Sequence, residues 1–506
     1  MKNIKYALLA AVLVGFTACK SEDDFIDSPD TDTNVVLPAL TAGTADFSNY
    51  VAIGASFTAG FADNGLFKAS QENSFPNILA GHFANAGGGA FKQPMMNDNY
   101  GGIVFMGNRI TQPRLVFGGA GPVPLESVVG PVSISTDLSN NPTGPFNNLG
   151  VPGAKSYHLL APGYGNLGGL FTSPPSANPY AVRMIGSTAN PNATVMDLAV
   201  AQAPTFFTLS EIGGNDVLGY ATSGGDGSDA ITPSALFDAS LNGMVAMLTA
   251  NGTNNAKGVI GNVPNITSLS YFTTVTHNPV PLDAASAAQA NAAYGLYNAG
   301  IVQAFAYLVA TTPMTQEDAD AEIARRTIMF AESETNALVI LDEDLTNLTG
   351  INPQLVNMRQ ATEADLITLP ASSLIPTGVG VTSPMSDTFV LTPEEQFDIS
   401  SATMAYNATI KSITDANPNL ALVDLNSILA QASTTGIMFD EFDLNTELVF
   451  GGLVSLDGVH LTARGYALMA NAFLDAIDTN FGSNFRASGN VSKAYDFGVA
   501  YSPLLP

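Results

Sequence analysis

Cysteine, histidine and basic residues are all scarce in this chain of 506 residues, and each scarcity removes a class of explanation. The single thiol, Cys19, excludes an intramolecular disulfide. The four histidines (His82, His158, His277 and His460) have no ligand spacing with each other or with the cysteine, so no zinc pattern emerges. Only 17 lysines and arginines stand against 44 acids, a net charge of −27. The basic patches that nucleic acids and anionic membrane surfaces require are therefore missing. There is no internal repeat, and no low-complexity tract beyond Gly/Asn-rich stretches. The length suits one large domain with insertions or two domains, with a sizeable core in either case.

The lone cysteine has a telling position. Lys2 and Lys5 form a charged start, Tyr6 to Phe16 form an apolar run, and Thr17-Ala18 supply small residues before Cys19. The run is too short to span a membrane as a permanent helix. The pattern resembles a bacterial lipoprotein signal, cleaved before Cys19 with lipid added to its thiol, although Phe16 stands where Leu is usual. The alternative is a plain secretory signal with an incidental cysteine. Lys20-Ser-Glu-Asp-Asp24 is similar to the acidic tag that sends Bacteroidetes lipoproteins to the outer cell surface. The expectation is a signal peptide over 1–18 and a flexible acidic tether over 19–45. Attachment to the bacterial outer membrane would then run through a lipid on Cys19.

Beyond the tether, Tyr50–Ile53, Thr205–Leu209, Val259–Ile260, Leu338–Leu341 and Leu420–Leu425 read as buried strands of parallel type. Residues 283–305 are Ala-rich and helical in character. Thr392-Pro-Glu-Glu395 starts a helix whose apolar stripe is Ile399, Ala402, Tyr406, Ile410 and Ile413. A second stripe, Tyr466, Met469, Phe473, Ile477 and Phe481, marks a helix over 462–481, and both read as core faces. Strands alternating with helices predict an α/β fold, three-layered with a mostly parallel sheet. Residues 313–390 break the rhythm and read as an insertion or lid. The tail from 483 to 506 ends in an apolar stretch able to pack back on the domain.

Four short blocks carry chemistry. Gly54-Ala-Ser-Phe-Thr-Ala-Gly60 puts Ser56 among small residues just after a strand, either an ordinary turn or an uncrowded nucleophile. Asn148-Leu-Gly-Val-Pro-Gly153 lets a backbone N–H approach a reacting group, and alone it is an unremarkable loop. Gly213-Gly-Asn-Asp216 places the Asn215 amide at a strand's carboxyl end, where an oxyanion would need donors. Alone it is a good turn sequence. Asp457-Gly-Val-His460 sets a carboxylate three residues from an imidazole, able to bind Nδ1 and leave the other nitrogen free.

In this order, over Tyr50 to about Phe481, the four blocks resemble the SGNH hydrolases, or GDSL esterase/lipase family. Ser74-Phe-Pro-Asn-Ile-Leu79 and Gly261-Asn-Val-Pro-Asn-Ile-Thr267 are similar to a Bacteroidetes lipoprotein branch of it. The resemblance implies a flavodoxin-like fold for residues 46–482 and a Ser56–His460–Asp457 triad. It implies an oxyanion hole from the N–H groups of Ser56 and Gly153 and the Asn215 amide, with no cofactor. One departure is Ala55, where the family carries Asp or Asn. The substitution removes a polar side chain that orders the loop but no member of the triad. The implied activity is hydrolysis of carboxylic esters, with acetylated glycans favoured by location. The alternatives are lipid or phospholipid acyl hydrolysis through an apolar channel formed by residues 313–390, and a non-catalytic surface binding protein that keeps the fold.

Overall fold

The computed structural model describes residues 36–186, 188, 190–249 and 256–505. The signal peptide, Cys19 and most of the tether lie outside the described residues. The chain divides into a unit Met1–Ala39 and a unit Leu40–Pro506, and the second holds every element described below. Residues 40–45, expected to belong to the tether, are packed chain instead: Leu40 and Ala42 lie against the main core. Thr44 N–H donates to Phe481 O at 2.8 Å, and Ala45 is buried in the main core.

A five-stranded, all-parallel sheet forms the centre of this unit, from β1 (Tyr50–Gly54), β2 (Asn148–Gly150), β3 (Phe206–Ser210), β4 (Lys257–Gly261) and β5 (Leu420–Val423). Every residue of β1, β2 and β3 is buried. A parallel sheet covered on both faces needs such continuous burial, which is why apolar runs rather than alternation mark it. The spatial order is 2-1-3-4-5. Chain direction along the sheet therefore reverses between β1 and β3, and the crevice beyond the carboxyl ends of those two strands is where open α/β sheets bind ligands.

The helices that matter are α1 (Ser56–Ala59), α2 (Phe75–Ala84), α3 (Gly214–Thr222), α4 (Ser234–Thr249), α5 (Ala284–Thr311), α6 (Pro393–Ala416) and α7 (Ala463–Phe481). They pack against the sheet in two groups, α2 with α7 and α3 with α4 and α6. In α6, Thr392 caps the helix and Glu395 returns the contact, the reciprocal box that its sequence predicts. All five stripe residues of α7 are buried. The tail packs back. Phe485 joins Phe47, Phe83 and Phe206 in an aromatic cluster, with the Phe47 and Phe83 rings stacked 4.1 Å apart.

Two sequence assignments change. Asn148–Gly150, read as loop, is the edge strand β2. Leu338–Leu341, read as a parallel strand, yields Val339–Leu341 antiparallel to Met358–Gln360, outside the central sheet. Four apolar residues in a row do not distinguish a strand of the main sheet from one in a separate small core. That small core is real: residues 280–390 carry two apolar clusters of their own, one of which takes in α5.

Gly150 at the end of β2 fixes how closely α1 can lie. A Cβ there would sit 2.3 Å from Ala59 N and 2.7 Å from Thr58 C, backbone that cannot move without displacing the helix. Gly150→Ala is expected to cost at least about 1–3 kcal/mol in chemical unfolding. A variant as stable as the parent would show that α1 is not held against β2.

Candidate active site

β1 delivers Ser56 to the crevice. Ala55 precedes α1 and offers no side-chain cap, so the first N–H groups of the helix need another acceptor. Glu211, just past β3, supplies it. Its Oε2 accepts from Phe57 N–H at 2.6 Å and Thr58 N–H at 3.1 Å, and its Oε1 accepts from the Ser56 hydroxyl at 3.1 Å. The backbone at Glu211 is left-handed, with φ of 60°, an unusual conformation for a bulky residue and a strain the surrounding contacts must hold. Glu211 thus does the loop-ordering work that Ala55 cannot.

On the opposite wall, His460 Nδ1 lies 2.9 Å from Asp457 Oδ2, which sets the Nδ1–H tautomer and leaves Nε2 free for a proton. Asp457 also accepts from His460 N–H and Val459 N–H through Oδ1, and from Asn64 N–H through Oδ2 at 2.7 Å. Burial opposes the Asp457 charge. The His460 ring, its hydrogen bond and these N–H donors outweigh burial and hold the carboxyl well below the usual range. Behind this pair, Asp63 accepts from Leu456 N–H, and Arg114 faces it at 3.9 Å. Arg114 in turn donates to Ser502 O, so the tail closes the back of the Asp457–His460 loop. The rings of Phe57 and Phe61 flank His460 at 5.8 and 4.6 Å.

Asn215 lies at the start of α3 and donates one amide hydrogen to Ala154 O at 3.0 Å. Asp216 binds Ser156 N–H and hydroxyl at 2.8 and 2.7 Å. The two side chains clamp the loop after β2 and bring Gly153 beside Asn215. Among the described residues, neither Ser56 N–H nor Gly153 N–H has an acceptor, so both are free to serve a ligand. The structure therefore gathers Ser56, Gly153, Asn215, Asp457 and His460 around one crevice. It also shows the Ser56 hydroxyl turned to Glu211, with no hydrogen bond to His460. Nothing in the sequence singles out Glu211, Asp63 or Asn64 for this site. Their one local signal is Asp63-Asn64-Gly65, a turn composition with no chemistry attached.

Two spaces meet here. A narrow apolar pocket of about 80 Å³ runs from Ser56 between α3, α7 and the helix Leu425–Ala432. Leu218, Ile266, Leu425, Ile428, Leu461 and Met469 line it, and its only polar side chains are Ser56, Glu211 and Asn215. A second, wider cleft of about 360 Å³ holds Gly153, Asp457 and His460 together with Asn64, Lys155 and Asp229, and shares Asn215, Leu218 and Val459 with the first. No residue of 313–390 lines either space, so the apolar channel is built by the central domain and not by the insertion.

No family model, curated protein or solved structure matches the chain. No described helix is long and apolar enough to cross a membrane.

Burial pushes the Glu211 carboxyl from its ordinary 4.5 up to about 7, against the pull of the Phe57 and Thr58 donors and the His460 charge. Between those values the native state holds a proton that the unfolded chain has released, so this group makes stability fall as pH rises from 4.5 to about 7. Asp63, pushed up to about 7 chiefly by burial, adds to the same fall. Glu211→Gln, which cannot titrate, is expected to shrink the loss of unfolding free energy between about pH 5 and pH 8, measured in urea. Glu211→Ala leaves two buried N–H groups unpaired and should cost about 2–3 kcal/mol at the lower pH. Equal stability of Glu211→Ala and the parent would remove Glu211 from this role.

Proposed function

We propose that the chain is a serine ester hydrolase of the SGNH (GDSL) type, with Ser56 as nucleophile. One observation carries the reading. Among the described residues, the polar side chains on the wall of a narrow apolar pocket are Ser56, Glu211 and Asn215, and the His460–Asp457 pair lies on the adjoining cleft. The sheet order 2-1-3-4-5 agrees with the flavodoxin-like, three-layer fold the resemblance implies.

In this mechanism the Ser56 hydroxyl rotates from Glu211 to His460 Nε2 as an ester enters. His460 takes its proton while Oγ attacks the carbonyl carbon, and Asp457 stabilises the imidazolium. The developing oxyanion meets Ser56 N–H, Gly153 N–H and the free amide hydrogen of Asn215. His460 then protonates the departing alcohol and activates the water that releases the acid.

The pocket favours the lipid-type substrate over the acetylated glycan. The pocket's 80 Å³ holds several water-sized groups at about 10–15 Å³ each, more than an acetyl methyl fills, and each further methylene buried there contributes up to about 0.8 kcal/mol. The acyl chain belongs in the apolar pocket and the alcohol in the polar cleft with Lys155 and Asp229. A lipid on Cys19, if attached, would hold the domain at the membrane surface where such esters lie.

Hydrolysis of p-nitrophenyl acetate and octanoate tests this. Octanoate is expected to have the higher kcat/KM by about tenfold or more, and Ser56→Ala to lose at least about 10³-fold on both. Ile428→Trp, which fills the pocket from the helix Leu425–Ala432 on the wall opposite the serine's own strand, should reduce octanoate turnover and spare acetate. An acetate preference unaffected by Ile428→Trp would return the glycan reading to first place.

Asn215→Ala is expected to lower kcat by about 10²–10³ with KM little changed. If the parent neither hydrolyses these esters nor reacts with a fluorophosphonate at Ser56, the chain is a binding protein that keeps the fold.

A further inference from the structure

Outside the crevice, three carboxylates converge without any cationic side chain. Glu343 follows the strand Val339–Leu341 of the insertion, Asp387 opens the short turn Asp387–Phe389, and Glu395 sits in the first turn of α6. One carboxylate oxygen of each lies within 4.8 Å of the others. Glu395 is 3% exposed, and its two oxygens have different fates. Oε2 accepts from Thr392 N–H at 2.6 Å and the Thr392 hydroxyl at 3.0 Å. Oε1 is buried with no partner among the described residues, as is Oδ1 of Asp387.

The nearby arginines are engaged elsewhere. Arg325 pairs with Asp342 at 3.1 Å and Glu394 at 3.6 Å, and Arg359 is held between Asp342 and Asp365. Among the described residues no ion pair reaches Glu343, Asp387 or Glu395. A buried, unpaired carboxylate oxygen is costly unless something positive meets it.

We propose that Glu343, Asp387 and Glu395 bind one calcium ion, which fastens the insertion to the first turn of α6. Calcium bonds oxygen at about 2.3–2.6 Å, so opposite ligands stand about 4.6–5.2 Å apart, a span that admits this trio. Magnesium, at about 2.0–2.1 Å, needs a tighter cage. Glu343 is exposed and Asp387 half-buried, which leaves one side open for entry and for water ligands. The positive end of α6 opposes a cation with about half a charge, against three negative ones. The loop after α3 closes the inner side: a Cβ on Gly225, where φ is +69°, would lie 2.0 Å from Glu395 Oε1. Only glycine lets this backbone approach the carboxylate so closely.

The test uses the Leu40–Pro506 unit within the full chain, stripped of metal with EDTA and then freed of the chelator. Calorimetric titration with calcium chloride is expected to give one saturable site, with Kd of about 10⁻⁴–10⁻³ M. At about 10 mM calcium, Tm should rise by about 1–3 °C. The Glu343→Gln/Asp387→Asn double variant should lose both responses, with a metal-free Tm equal to or above that of the parent, because like charges are removed. A merely structural role for these side chains would lower that Tm instead. If the double variant does not fold, Glu343→Gln alone, at an exposed position, should weaken calcium binding at least about tenfold. The proposal is overturned if the parent shows no saturable heat or the variants bind as the parent does. It is equally overturned if sodium chloride at matched ionic strength reproduces the Tm rise, or if magnesium binds and calcium does not.

Discussion

One carboxylate holds the serine in place. Glu211 ends the N-terminal N–H groups of α1, holds the Ser56 hydroxyl, and reaches both from the neighbouring strand's carboxyl end. A four-residue helix has no stability of its own, since its hydrogen bonds do not outnumber the donors it leaves unpaired. Without an acceptor from outside, Phe57 and Thr58 would each bury an unpaired N–H at about 1–3 kcal/mol. The usual remedy is a polar side chain at the preceding position, and Ala55 has none. Placing the acceptor just past β3 makes the geometry of Ser56 depend on the β1–β3 pairing, which runs in register along both strands.

That pairing also explains why the site has two unlike sides. Chain direction along the sheet reverses between β1 and β3, so elements diverge there and leave space on either side of Ser56. Towards β4 and β5 the walls are α3, α7 and the helix after β5, whose inward faces are apolar because they also cover the sheet. Towards β2 one face of α3 meets loops, whose polar groups Asn64, Lys155 and Asp229 line the cleft. Asn215 belongs to both because it starts α3 at the boundary. A carbonyl held between Ser56 and Asn215 would therefore direct its two substituents into opposite environments, and this asymmetry is what the ester-hydrolase reading uses.

The parts legible in the sequence share a physical basis: they are local. Asp457 and His460 are three residues apart, so their contact follows from one turn. The cap Thr392–Glu395 and the stripe of α7 depend on helical spacing alone. The parts that were not legible are made across long separations. Glu211 meets Ser56 from 155 residues away, and as one acid among 44 it carried no mark. Asn64 reaches Asp457 across 393 residues. The apolar pocket draws on α3, the loop after β4, the helix after β5 and α7, each apolar for core reasons that hide its second use. Leu338–Leu341 misled for the same reason, since composition reports burial and not which core does the burying.

The insertion stands apart from both spaces at the crevice, so whatever it contributes to turnover must travel through shared elements. It meets the central domain at the first turn of α6 and at the loop that follows α3, beside Glu395 and Gly225. Asn215 lies at the other end of α3, a nine-residue helix and so about 13 Å long. A rigid helix of that length passes a shift of its far end to its near end as a tilt, while the near end is pinned by Asn215 to Ala154 and by Asp216 to Ser156. The pinned end is the one that, in the proposed mechanism, would meet the oxyanion. An ion at the acidic trio would therefore touch neither ester nor nucleophile. It would set how firmly the far end of α3 is anchored, and through it how well the Asn215 amide keeps its aim.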